Sequence, residues 1–173
     1  MSMIDDFPGA KQKPSKRTKP RKRVNKVSPK DVPRLKRKLW GLVKWLCKRR
    51  DGPVCVSCRA EGLEGRNWHP GHWFTAGGHG FIEFHPRNIH SQCGRCNIFL
   101  RSNAAAYSAE MVRRYGLPFF EAMDKASMVI KQWKHYELSE LIQYAEQGIE
   151  AYTQFYETTY GPALYDIKIS SAI

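Results

Sequence analysis

The sequence predicts an α+β protein: a small zinc-stabilised core of two short strands and a helix, flanked by helices and preceded by a basic tail. Three observations predict it. Two C-x-x-C pairs, Cys55-Val56-Ser57-Cys58 and Cys93-Gly94-Arg95-Cys96, frame a stretch dense in Gly, His and aromatic residues. Apolar residues recur at helical spacing on both sides of that frame. The positive charge sits at one end. The 173 residues carry a formal net charge of +13, and Lys11 to Arg50 alone hold 18 basic residues against one acidic residue, Asp31, leaving −4 for the rest.

Residues 1–30 hold Gly, Pro, Ser, Lys and Arg with few apolar side chains. Such a segment buries too little surface to offset chain entropy, so a disordered basic tail is expected. Residues 31–52 read as a basic amphipathic helix. Pro33 suits an early helical position behind Asp31, and Leu35, Leu39, Leu42, Val43 and Leu46 form one face, with Trp40 and Trp45 widening it. Asp51-Gly52-Pro53 ends it.

Residues 53–116 form the core. Asn67–Phe74 and Phe81–Phe84 read as its two strands, joined by a loop through Gly77-Gly78-His79-Gly80. A helix is expected from the second cysteine pair past Leu100, then another from Ala104 to Tyr115, stopped by Gly116 and Pro118. Residues 117–173 form a C-terminal helical region, with helices over Phe119–Trp133 and Glu137–Tyr160. The stripe Leu138, Leu141, Ile142, Ala145, Ile149 and Tyr152 packs either within the chain or as a dimer seam, and Gly161-Pro162 ends it.

The paired cysteines supply four thiolates from two tight turns, which suits tetrahedral Zn²⁺. The alternatives are four unrelated buried thiols or a redox pair. With all four sulfurs engaged, such a zinc is structural and has no open position for water. Cys47, the fifth cysteine, reads as an apolar helix-face residue. A basic block of this kind favours a polyanion through counterion release, with DNA the leading partner and an anionic membrane surface second. No run of about 18 apolar residues and no signal peptide is evident, which points to a cytoplasmic protein.

Between the cysteines lie Gly71-His72-Trp73 and Arg87-Asn88-Ile89-His90-Ser91-Gln92-Cys93, followed by Cys96-Asn97. This pattern resembles the HNH, or ββα-metal, nucleases, and more closely the NinG (Rap) recombination endonucleases of lambda-like phages. It is also similar to the recombination endonuclease VII group. The resemblance is tight over Cys55 to Tyr115. It implies a ββα-metal core and an endonuclease acting on branched DNA such as Holliday junctions and D-loops. It implies His72 as general base, Asn97 as ligand of a catalytic Mg²⁺ or Mn²⁺, and Asn88 as the residue that orients the His72 ring or its loop.

In one respect the chain departs from this pattern. Many relatives carry an acidic residue or a second His immediately before the base, and here that position is Gly71. His69 stands three residues before the base, and His69 or Glu83 is the candidate second ligand. DNA contact is expected from Lys36, Arg37, Lys44, Arg49 and Arg50 on the first helix and from Arg95 and Arg101 beyond the second cysteine pair. His79 and His85 read as solvent-facing or hydrogen-bonded loop residues, and His90 as packed or hydrogen-bonded beneath the cysteines. A homodimer and recombination proteins are further expected partners. A zinc-bearing DNA-binding module without catalysis, and an HNH nicking or homing enzyme on duplex DNA, are the competing readings.

Overall fold

A computed structural model describes residues 28–75 and 80–161. The expectations for the basic tail, for Gly77-Gly78-His79 and for Pro162 fall outside these residues. Helix α1 spans Val32–Asp51. It follows a single turn at Pro29–Asp31, in which Asp31 accepts from the Ser28 backbone N–H at 2.9 Å. Leu35, Leu39, Val43, Leu46 and Cys47 form its buried face. Burying each of the aliphatic side chains contributes about 1.5–3 kcal/mol. Gly52 ends the helix at φ 67°, and its N–H donates back to Lys48. A glycine is favoured there because that φ suits no residue with a Cβ so well.

Strand β1 is Trp68–His72 and strand β2 is Ile89–Cys93. They pair antiparallel, with Trp68 opposite Cys93, His69 opposite Gln92, Gly71 opposite His90 and His72 opposite Ile89. The second strand is therefore not Phe81–Phe84. That segment is a buried loop, held where it is by three side-chain donors. Trp133 Nε1 donates to the Gly80 carbonyl (2.7 Å), Tyr156 to Phe81 (2.8 Å) and Tyr152 to Phe84 (2.7 Å). A short apolar run fits a buried strand or a buried loop equally well. Here the backbone carbonyls are satisfied by side chains instead of by a partner strand.

A π-helical turn, Arg95–Phe99, follows the hairpin in place of the expected longer helix. A corner at Arg101–Asn103 separates it from α2, Ala104–Tyr115, which matches the expected span. Helix α3 covers Leu117–Ser127 and stops short of Trp133. The predicted Glu137–Tyr160 helix is two helices, α4 (His135–Ala145) and α5 (Ile149–Thr159). Gly148 breaks it at φ 124°. The break lets the apolar stripe fold back inside the chain. Leu138, Leu141 and Ile142 pack with the α1 face, and Tyr152 and Tyr156 join the same core. Among the described residues no helix is long and apolar enough to cross a membrane.

Candidate functional site

The four cysteines converge. The Sγ atoms of Cys55, Cys58, Cys93 and Cys96 all lie within 4.8 Å of one another. Cys55 and Cys58 flank a turn in which Arg59 N–H donates to Cys55 O (2.9 Å) and Cys55 N–H to Ala60 O (2.8 Å). Cys93 ends β2, and Cys96 lies one turn later. Burial pushes the Cys55 thiol up, but N–H groups of Cys58, Cys93 and Ser57 outweigh it and bring the thiol down to about 7. Backbone donors that favour a thiolate, and four sulfurs in one small volume, fit a soft tetrahedral ion such as Zn²⁺. Trp68 and Leu63 pack with Cys55, Cys93 and Cys96 in a group separate from the main core, while Cys58 is exposed.

The hairpin has two faces, because successive side chains of a strand alternate. Trp68, Pro70, His72, Ile89, Ser91 and Cys93 face α1. His72 stacks on Trp40, ring centroids 5.0 Å apart and planes 15° from parallel. Its Nε2 lies 3.0 Å from the Glu83 carbonyl. A carbonyl only accepts, so Nε2 carries the proton and Nδ1 keeps a lone pair. Burial lowers the ring's proton affinity, partly offset by Glu83, so the imidazole is neutral near pH 7. The Glu83 carboxylate is itself paired with Lys36 at 2.7 Å.

Asn88 clamps the backbone just after His72. It is fully buried. Its Oδ1 accepts from Phe74 N–H (2.8 Å), and its Nδ2 donates to the carbonyls of Phe74 (3.0 Å) and Ile82 (3.1 Å). Asn88 thus fixes the loop that carries Glu83 O to the His72 ring.

His69, Gly71, His90 and Gln92 occupy the other face. His90 is enclosed between the hydroxyls of Tyr107 (3.0 Å) and Tyr115 (3.2 Å), and Tyr107 in turn donates to the Gly71 carbonyl (3.0 Å). Asn97 Oδ1 stands 3.0 Å from the point a Cβ on Gly71 would occupy. The structure therefore brings Asn97 against Gly71, the residue beside His72. It does not bring the His72 ring to Asn97, because that ring lies on the opposite face. His69 shares the Asn97 face, with its Nε2 near Gly94, 3.4 Å from a Cβ position there. Gln92, Ser57 and Ser102 are site residues that the sequence reading missed. The nearest signal was the polar triplet His90-Ser91-Gln92 inside a wholly buried strand.

The basic residues divide. Arg37, Lys44, Arg49, Arg95 and Arg101 are exposed. Arg50 is not a free phosphate contact: it donates to the carbonyls of Pro86 (2.8 Å) and Ile89 (2.7 Å) and pairs with Asp51. It acts as a strut between α1 and β2, and Lys36 is occupied by Glu83. Arg95, Arg66 and His69 line an open groove of about 580 Å³ with Ile98 and Phe99. Phe99 is 81% exposed. His85, expected to face solvent or to be hydrogen-bonded, is fully buried and accepts from Arg87 N–H at 3.1 Å. Burial, aided by Arg87 and Arg50, pulls its pKa down to about 3.

A family model described as Bacteriophage Lambda NinG protein matches residues 8–154. The chain belongs to the NinG family. Among curated relatives, Protein ninG of Escherichia phage lambda is 37% identical over 76 residues, which is 44% of this chain and 34% of that protein. Protein ninG of Salmonella phage P22 is 35% identical over 68 residues, 39% of this chain and 32% of that protein. The aligned region thus spans about a third of the length of these NinG relatives. No solved structure matches the chain.

Proposed function

We propose that this NinG-family chain is a metal-dependent DNA endonuclease with an HNH-type ββα-metal core, cutting branched recombination intermediates of the Holliday-junction or D-loop kind. The observation that carries the reading is the state of His72. It ends β1, is neutral, and has one ring nitrogen fixed by a backbone carbonyl so that the other is left as a base. Asn88 holds the loop that supplies that carbonyl. Asn97 lies against Gly71, the residue before His72, on the opposite face of β1 from the His72 ring.

His72 Nδ1 takes a proton from water as the water oxygen bonds to phosphorus. The bond from phosphorus to the leaving oxygen breaks, and that oxygen takes a proton from solvent. Mg²⁺ or Mn²⁺, when bound, neutralises charge at the phosphate, and Asn97 would hold it through its amide oxygen. Trp40 fixes the imidazole plane. Arg95, with Arg37, Lys44, Arg49 and Arg101, offers guanidinium or ammonium groups to DNA phosphates. A homodimer would give one active site to each strand of a symmetric junction.

Cleavage of a four-way junction, a matched duplex and a single strand in Mg²⁺ or Mn²⁺, beside His72→Ala, tests this. The junction should be cut, and His72→Ala should lower the rate by about 10²–10⁴-fold. No cleavage of any substrate, or equal cleavage by the variant, sinks the reading. A zinc-bearing DNA-binding module without catalysis is the second reading. It is favoured by one observation: among the described residues, the four cysteines are the one cluster of three or more His, Cys, Asp or Glu side chains. It predicts junction binding in either ion without strand breaks.

A further inference from the structure

Two amide oxygens face one gap beside Gly71. Gln92 is fully buried on β2, on the same face as Gly71 and His69. Its Nε2 donates to Ser57 Oγ (2.6 Å) and to the Ser102 carbonyl (2.7 Å). The carbonyl can only accept, so the nitrogen end of the amide is fixed and Oε1 must point the other way. That Oε1 is buried and has no hydrogen-bond partner. It occupies the space a Cβ on Gly71 would need, and Asn97 Oδ1 lies 3.0 Å from the same point.

A buried oxygen without a donor costs about 1–3 kcal/mol. Two carbonyl-type oxygens turned toward one gap are stable only with a proton donor or a cation between them. Hard divalent ions select such oxygens.

We propose that Gln92 is the second protein ligand of the catalytic divalent ion, reaching from β2 into the space left by Gly71 and sharing the ion with Asn97. The word "catalytic" rests on the nuclease reading above; the cation site itself does not. The absence of a side chain at position 71 is then a requirement, since any Cβ there would displace the Gln92 oxygen. Both ligands are neutral, so the ion binds weakly to the protein alone and its charge is balanced by the DNA phosphate. Partly exposed Asn97 gives the gap its opening, and His69 stands beside the neighbouring groove instead of completing the ligand pair.

Mn²⁺ is the probe, with the full zinc-loaded chain and the side-chain amide NMR signals of Gln92 and Asn97 as readout. Both signals should broaden together as Mn²⁺ is added. Gln92→Met should raise the Mn²⁺ needed to broaden Asn97 by about tenfold, and Gln92→Glu should lower it by about tenfold, with zinc content and circular dichroism unchanged. Unchanged broadening of Asn97 in Gln92→Met overturns the proposal. So does the absence of broadening at both amides in the wild type, the result expected if Asn97 simply donates its Nδ2 to Gln92. His72-dependent junction cleavage that Gln92→Met leaves intact sinks this ligand and spares the nuclease. Paired broadening with no cleavage of any DNA sinks the nuclease and spares the cation site.

Discussion

The two faces of the β1–β2 hairpin are built from the same ten residues and do different work. Toward α1 the polar groups are matched. Trp68 donates to Ser91 Oγ at 2.8 Å, Ser91 N–H to Asp51 at 2.9 Å, and His72 meets both a ring and a carbonyl. Toward α2 and the π turn one buried oxygen is left over. The matched face is a joint between helix and sheet. The unmatched face has capacity for something outside the chain. Of the buried side-chain atoms without a hydrogen-bond partner among the described residues, His85 Nε2, Glu157 Oε1 and Gln92 Oε1, only the last belongs to the hairpin. A surplus acceptor beside a gap is a stronger pointer to a ligand than another exposed charge.

The largest perturbation removes the anchor shared by both faces. Chelating a metal held by the four thiols, or replacing Cys93 by Ser, should unfold the hairpin together with its link to α2. Structural zinc contributes on the order of 10 kcal/mol in isolated zinc modules, more than a small core can lose. Thermal melting with and without chelator reads this, and an unchanged melting temperature would show that the thiols hold no structural metal.

A smaller effect should follow from loosening the open end alone. Asn88→Ala removes three hydrogen bonds, one buried and two partly buried, and should cost about 2–4 kcal/mol in chemical denaturation. It should also slow cleavage by freeing the His72 ring. A loss under about 0.5 kcal/mol would mean that the clamp is solvated.

The smallest effect separates the faces by acid titration. His72 and His90 are both held below the ordinary histidine range by burial, His90 well below it with Arg50 and Arg114 adding to the depression. Below a pH of about 6.5 the unfolded chain takes up protons that the folded histidines refuse. Stability from these groups is therefore full above that pH and is lost as pH falls, by up to about 1.4 kcal/mol per unit for each depressed group. His90→Gln should flatten that slope, and His72 should titrate at higher pH than His90 in ring-proton NMR. The reverse order would mean that the α1 face is the more enclosed one.

Some of this was legible in the residues. Helix α1 followed from its apolar spacing and its Gly52 stop, and the cysteine cluster from two equal pairs. The second strand was hidden because Ile89–Cys93 is buried at every position and so has no alternation, while Phe81–Phe84 has the composition of a strand without its hydrogen bonds. Gly148 lies in a continuous apolar stripe, and only the fold-back reveals that it breaks the helix. His85 sits in loop-like sequence beside Pro86, and its burial comes from rings distant in the chain, those of Phe119 and Tyr156. Gln92 could not be found from sequence, since its significance depends on Ser57 and Ser102, 35 and 10 residues away, consuming its nitrogen and leaving its oxygen.

The corner that supplies the Ser102 carbonyl carries a consequence for sequence drift. Arg101, Ser102 and Asn103 stand at φ 46°, 71° and 47°, three consecutive left-handed residues without a glycine among them. Each costs about 1 kcal/mol relative to an ordinary turn, more for a β-branched side chain. A stretch at the surface that looks dispensable is in effect a hinge pin. Changes to Val, Ile or Thr there would re-aim one carbonyl and, through it, the amide of Gln92. Constraint on the Gln92 amide would then appear as intolerance to substitution at Ser102 and Asn103, neither of which is placed against DNA.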